Sequence, residues 1–187
     1  MEKIQLKSKT TLFQKFVGVV EYIFHLPDRK TDIRRFVVTR PEAAALLLYN
    51  RDSDSIVFIR QFRTPVYTKD ENAFILEIPA GVIEAGESAM DTIVRESLEE
   101  TGYQISNPEL LSVFYPSPGM LNEKMHLFYA EVGHADKIGN GGGLESENEF
   151  LEILEIPVKE ALEMVFDGRI IDAKTILSVL WFRKKPL

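Results

Sequence analysis

Glu96, Glu99 and Glu100 are the residues of this chain best suited to chemistry. On a helix, residues three and four apart lie on one face, so these carboxylates crowd together and repel. Packing gives little in return for that arrangement. A cluster of hard oxygen donors is what Mg²⁺ or Mn²⁺ requires, with substrate phosphates completing the shell. The chemistry implied is the cleavage or transfer of phosphate groups, where metal charge offsets the charge on the phosphate oxygens.

Such a cluster needs a rigid frame, and the flanking residues provide one. Phe74-Ile-Leu-Glu-Ile78 has the pattern of a strand, ended by Pro79 and a turn at Ala80-Gly81. Ser88 is placed to cap the following helix, with Asp91 as its reciprocal partner. Ala89, Ile93 and Ser97 fall on one face of that helix, and Gly102 is a natural C-terminal stop. Arg95 is expected to hold Glu87 or one of the clustered carboxylates in place.

Together Gly81, Glu87, Arg95, Glu96, Glu99, Glu100 and Gly102 have the spacing Gly-x5-Glu-x7-Arg-Glu-x-x-Glu-Glu-x-Gly. This resembles the Nudix box, the signature of hydrolases that cleave a nucleoside diphosphate linked to another group. The soft departure is Ser97, where that family usually has a bulkier apolar residue.

The resemblance extends from about Val17 to Trp181 and is to the ADP-ribose and GDP-mannose pyrophosphatase branch. It implies that Glu96, Glu99, Glu100 and the backbone carbonyl of Ala80 bind metal. Arg63, at the end of Ile59-Arg-Gln-Phe-Arg63, would contact the diphosphate, and Glu77 and Glu123 match positions near the diphosphate and the terminal ribose or sugar. Arg35 matches a position that reaches a partner subunit's site. Glu147 and Glu149, just past a glycine-rich stretch, are both candidates for the base or an extra metal ligand; Glu149, which directly precedes a strand, is slightly favoured.

The bulk properties agree with a small-molecule enzyme. A chain of 187 residues suits one domain, or one with a small appendage. The net charge of −7 argues against nucleic acid as a partner, though bound cations can reverse the field locally for a small anionic substrate. No stretch approaches the roughly 20 apolar residues of a membrane span. The first residues, Met-Glu-Lys-Ile-Gln-Leu-Lys, lack the apolar run of a signal peptide, and a cytoplasmic location is expected. With no cysteine, disulfides and thiolate metal sites are excluded.

The rest of the chain reads as strands and helices in mixed order. From about Phe13 to Val38, apolar-rich runs on either side of Pro27-Asp-Arg-Lys30 read as a small antiparallel unit with a hairpin, too short to bury a core alone. Ala43–Tyr49 and Ile56–Phe62 read as a hairpin of buried strands, Leu110–Tyr115, Met125–Val132 and Glu152–Ile156 as strands, and Val158–Phe166 and Ala173–Phe182 as helices. Gly139-Asn-Gly-Gly-Gly143 is expected to be flexible. The fold expected is α+β, a Nudix-type α/β/α sandwich with a mixed sheet, with residues 1–40 forming an N-terminal β unit for dimerisation and 41–187 the hydrolase domain.

The activity expected is Mg²⁺-dependent hydrolysis of a nucleoside diphosphate sugar by a homodimer, with Mn²⁺ as a possible substitute. ADP-ribose, giving AMP and ribose 5-phosphate, leads on the strength of Pro118, sixteen residues beyond Gly102, and of the Glu77-Ile-Pro-Ala-Gly81 approach. GDP-mannose is the alternative, favoured by Gly141-Gly-Gly-Leu-Glu145 and Ala161-Leu-Glu-Met164. A non-catalytic sensor that keeps the fold has no use for the intact acidic set. A nucleoside triphosphate hydrolase would be expected without the N-terminal β unit.

Overall fold

The computed structural model describes residues 3–144, 146 and 149–184. It divides into two compact units: Met1–Glu42 with Phe114–Lys124, and Ala43–Val113 with Met125–Leu187.

The first unit is a three-stranded antiparallel sheet of β1 (Gln5–Gln14), β2 (Gly18–Leu26) and β3 (Thr31–Thr39), in that order. The sequence pattern shows the β2–β3 hairpin but not β1, whose nearly continuous exposure leaves no alternation to read. Pro27 starts the turn and Lys30 ends it in the left-handed region, at φ 51°. The segment 114–124 is tied to β3 by Val38 N–H to Met120 O at 2.9 Å and by a parallel bridge from Val38 to Leu121.

The second unit is built on a mixed sheet. Its strands are β4 (Ala43–Asn50), β5 (Ser55–Phe62), β6 (Phe74–Glu77), β7 (Ala80–Val82), β8 (Glu109–Phe114), β9 (Met125–Val132) and β10 (Glu152–Pro157). The order is β10-β5-β4-β9-β8, and β4 runs parallel to β9. β4 is buried along nearly its whole length, which explains its unbroken apolar sequence. Its Ala44, Leu46 and Leu48 join Val57, Phe128 and Ala130 beneath Ile93 of the box helix. On the opposite face Tyr49 and Tyr129 meet Phe182, with ring centroids 4.8 and 6.2 Å apart. Helices therefore cover both faces, giving the α/β/α layering expected of an α+β Nudix fold.

One irregularity makes room for the site. β4 and β5 pair only near their turn, from Leu48–Asn50 against Ser55–Val57. Beyond it they diverge. β7 then pairs with the start of β4, and β6 with the end of β5. The gap is bridged at Ile78-Pro79, where Leu46 N–H donates to Pro79 O at 2.9 Å and Ile78 N–H to Thr175 Oγ1 at 2.9 Å. A short helix, α1 (Thr64–Tyr67), follows β5, with Pro65 in its first turn.

Candidate active site

The box helix α2 (Ala89–Glu96) begins as its sequence indicates. Asp91 N–H donates to Ser88 Oγ at 3.1 Å and Ser88 N–H returns to Asp91 Oδ2 at 3.2 Å, a complete capping box. The helix then widens into a π-helical turn over Ser97–Thr101, an insertion often found where a helix carries function. Gly102 ends it at φ 77°. Ser97, fully buried, donates its hydroxyl to Tyr103 O at 3.0 Å. That bond is why a serine is tolerated at an otherwise apolar position.

Arg95 organises the carboxylates. Its Nε and Nη2 grip Glu87 at 3.0 and 3.1 Å, while Nη1 donates to Glu96 at 2.8 Å and Glu99 at 2.9 Å. Both expected pairings, with Glu87 and with box carboxylates, are present at once. The guanidinium holds Glu87 down at about 2, and Glu87 in turn raises Arg95.

Glu100 is different. Its side chain is buried and accepts Ala80 N–H at 2.9 Å. Burial, then the charges of Glu96 and Glu149, hold it well above the usual carboxylate range. Glu96 is lifted to about 6, by burial first and by Glu99 and Glu149, despite Arg95. Its carboxylate lies directly over Gly81, where any side chain would collide with it. A larger residue at the glycine that opens the box would have to displace that carboxylate.

Among the described residues no three carboxylate or imidazole side chains stand ready to ligate one ion, and Arg95 Nη1 bonds to both Glu96 and Glu99. The donor set nevertheless fits a hard divalent cation. It consists of carboxylates only, and burial first, then the neighbouring carboxylates, keep Glu96 and Glu100 from ionising readily.

The box motif, its turn and its helix coincide with what a comparison of the whole chain finds. Residues 39–177 match the NUDIX domain model. The chain belongs to the Nudix hydrolase family. It is similar to proteins named GDP-mannose pyrophosphatase from Pectobacterium atrosepticum, at 36% identity over 97% of each chain, and from Citrobacter koseri, at 33% over 100% of this chain and 98% of the relative. Another, from Cronobacter sakazakii, is 42% identical over 77% of this chain and 74% of the relative. Nudix hydrolases generally use divalent metals, and the box carboxylates are where this chain would hold one. Among the described residues, no helix is long and apolar enough to cross a membrane.

The second cluster of this Nudix unit is built around Glu77 at the end of β6. Arg63 Nε and Nη2 meet its carboxylate at 2.5 and 2.9 Å, and Lys174 Nζ bonds to it as well. Lys174 also donates to Asp172 at 3.0 Å. Asp172 follows helix α3 (Val158–Phe166) and caps α4 (Ala173–Phe182), accepting from Thr175 N–H at 3.0 Å. Burial pushes Glu77 up, but Arg63 and Lys174 prevail and its proton affinity is lowered. Burial likewise opposes the charge of Arg63, and Glu77 overcomes it. Arg63 and Glu77 are therefore brought together, as the resemblance implies. Lys174 and Asp172 escape sequence reasoning about chemistry because they lie about a hundred residues away, although both stand in Ile170-Ile-Asp-Ala-Lys-Thr175.

Glu149 is half-buried and near enough to Glu96 and Glu100 to oppose the ionisation of both. Glu147 lies outside the described residues. Arg35 and Glu123 belong to the N-terminal unit. Arg35, on β3, donates to Arg34 O at 2.8 Å; Glu123 is buried with Arg40 Nη1 at 3.5 Å.

The glycine-rich segment is not the loose loop that its composition suggests. Ile138 and Gly139 N–H donate to Gly102 O at 2.9 and 3.0 Å, Gly142 N–H to Glu100 O at 2.9 Å and Gly143 N–H to Glu99 O at 3.1 Å. It satisfies the carbonyls that every helix end leaves open.

Proposed function

We propose that this protein is a Mg²⁺-dependent hydrolase of a nucleoside diphosphate sugar, with GDP-mannose as substrate and GMP and mannose 1-phosphate as products. The observation that carries the reading is the intact set Glu96, Glu99 and Glu100, framed by Gly81, Glu87, Arg95 and Gly102, in a chain whose relatives are named GDP-mannose pyrophosphatase. Those relatives reverse the order of substrates expected from the sequence, where ADP-ribose led. The names of those relatives outweigh the signals for ADP-ribose, Pro118 and the approach to Gly81. Gly141-Gly-Gly-Leu-Glu145 and Ala161-Leu-Glu-Met164 gain weight accordingly.

In this reading Glu96, Glu99, Glu100 and the Ala80 carbonyl would hold the metal, Mg²⁺ or Mn²⁺, which would supply positive charge to the diphosphate oxygens. Arg95 aligns the carboxylates. Arg63, oriented by Glu77, donates to the diphosphate, for which a guanidinium fork is well shaped. Glu149 accepts a proton from water as its oxygen bonds to one phosphorus. The bond from that phosphorus to the bridging oxygen breaks, and the bridging oxygen leaves with the other phosphate. Glu147 is the alternative base, and Glu123 and Arg35 contact the sugar and the partner subunit's site.

The proposal also makes the protein a cytoplasmic homodimer joined through the N-terminal β unit. Support comes from the apolar residues that unit leaves exposed, including Leu6, Leu12, Phe13 and Phe36 on the strands and Phe16 in the turn after β1. Light scattering at micromolar concentration should give twice the chain mass; a monomer would refute this.

The deciding assay compares release of GMP from GDP-mannose with release of AMP from ADP-ribose, with and without Mg²⁺. GMP release should dominate and require the metal. Faster release of AMP would return ADP-ribose to first place, and no turnover of either would overturn the sugar-nucleotide reading.

A further inference from the structure

Gly139–Gly143 connects two parts of the site that are far apart in sequence. On one side, its amides bond the carbonyls of Glu99, Glu100 and Gly102. On the other, Leu151 N–H donates to Gly142 O at 3.0 Å, beside the chain that carries Glu149. Three consecutive glycines, Gly141, Gly142 and Gly143, have φ of 64°, 101° and 81°, a run that L residues rarely adopt.

Close approach is needed as well as positive φ. A Cβ on Gly141 would stand 2.6 Å from the backbone carbon of Thr101 and 2.7 Å from Glu100 O. A Cβ on Gly143 would stand 2.8 Å from Glu149 Cβ. The first contact is with the backbone of the carboxylate helix and the second with the candidate base.

We propose that the glycine segment is a positioning element, a splint that fixes the backbone of Glu149 relative to the helix end bearing Glu99 and Glu100. The inference rests on the reading of Glu149 as the base. Gly141 and Gly143 act through the spacing they set between that residue and the helix end, so their loss should affect turnover rather than substrate binding. A misplacement on the order of 1 Å can cost about a hundredfold in rate.

Gly141→Ala should lower kcat by about ten- to a hundredfold and leave KM within about twofold. Gly143→Ala, whose contacts are with side chains, should do the same more mildly and serves if Gly141→Ala fails to fold. Gly168→Ala is the control: its φ is 82°, but nothing lies within 4 Å of its added Cβ, and kcat should be unchanged. In the combined Gly141→Ala, Glu149→Gln variant the two losses should not multiply, because one acts through the other. Hydrogen exchange on the wild-type protein adds a test without substitution: the amides of Gly142 and Gly143 should exchange as slowly as those of the box helix.

Wild-type turnover by Gly141→Ala with Glu149→Gln inactive would overturn this inference alone. Multiplying losses, or exchange of the glycine amides at free-loop rates, would overturn it too. Full activity in Glu149→Gln would remove the base assignment and the inference with it.

Discussion

The two charged clusters of the Nudix unit are both built from carboxylates and cations and are balanced in opposite ways. Around Glu77, two carboxylates (Glu77 and Asp172) face two cations (Arg63 and Lys174), and the proton affinity of Glu77 is lowered despite its burial. Around Glu100, the carboxylates Glu87, Glu96 and Glu99 share the one guanidinium of Arg95, buried Glu100 feels the charge of Arg63 without bonding to it, and the proton affinities of Glu96 and Glu100 are raised. A cluster that satisfies itself gains as the protein folds. A cluster left short of positive charge costs stability, and that cost makes sense if a cation and a phosphate are to supply the rest.

That contrast predicts different responses to substitution. Glu100→Gln should lower kcat by on the order of 10²–10³ or more, as expected when a preorganised charge is removed from a site, yet leave the protein folded. Its metal-free melting temperature should not fall, since a buried, poorly compensated carboxylate has gone. Activity that survives would break the metal assignment.

Glu77→Ala should behave in the reverse order, with stability affected first. Arg63, partly exposed, would lose its carboxylate and Lys174 would keep only Asp172, at a cost of about 1–3 kcal/mol in urea denaturation. A loss below about 1 kcal/mol would mean that the pairs are no better than surface ones.

Acidification separates the clusters by sign. Glu96 is raised from its ordinary value of 4.5 to about 6, so its ionisation weakens the folded state. The metal-free protein should therefore become more stable as pH falls from 7 to 5, by about 2–4 °C in Tm. Glu87, held at about 2, contributes stability that is lost only as pH drops below 4.5 toward 2, outside that window. Saturating Mg²⁺ should abolish the gain. A Tm that falls between pH 7 and 5 without metal would contradict the imbalance.

The smallest effect belongs to the frame. Ser88→Ala removes the cap of the box helix and should cost about 1 kcal/mol, with kcat unchanged. A large fall in kcat would mean that the start of the helix, and not only its end, sets the carboxylates.

What could be read from the sequence follows the reach of the interactions. The capping box, the Gly102 stop, the box spacing and helices Val158–Phe166 and Ala173–Phe182 are local, and the structure has them where the sequence implies. The bonds of Lys174 to Glu77 span 97 residues, and no periodicity encodes them. Nor does it encode the divergence of β4 from β5 or the π-helical turn, which tertiary packing decides. The glycine segment misled for a different reason. Glycine allows both free motion and close backbone approach, and composition does not distinguish them. Only the amides on Glu99, Glu100 and Gly102 do.

The bond from Ile78 N–H to Thr175 Oγ1 has a consequence for the order of events during synthesis. The turn that presents Ala80 to Glu100 leans on a helix made almost a hundred residues later. A nascent chain that has emerged only as far as Tyr103 already carries every box carboxylate, yet it lacks the hydroxyl that fixes the turn and the lysine that holds Glu77. Loop closure over that separation must come first. The box carboxylates are made early but the turn beside them is fixed late, so the nascent protein should remain without hydrolytic competence until α4 docks.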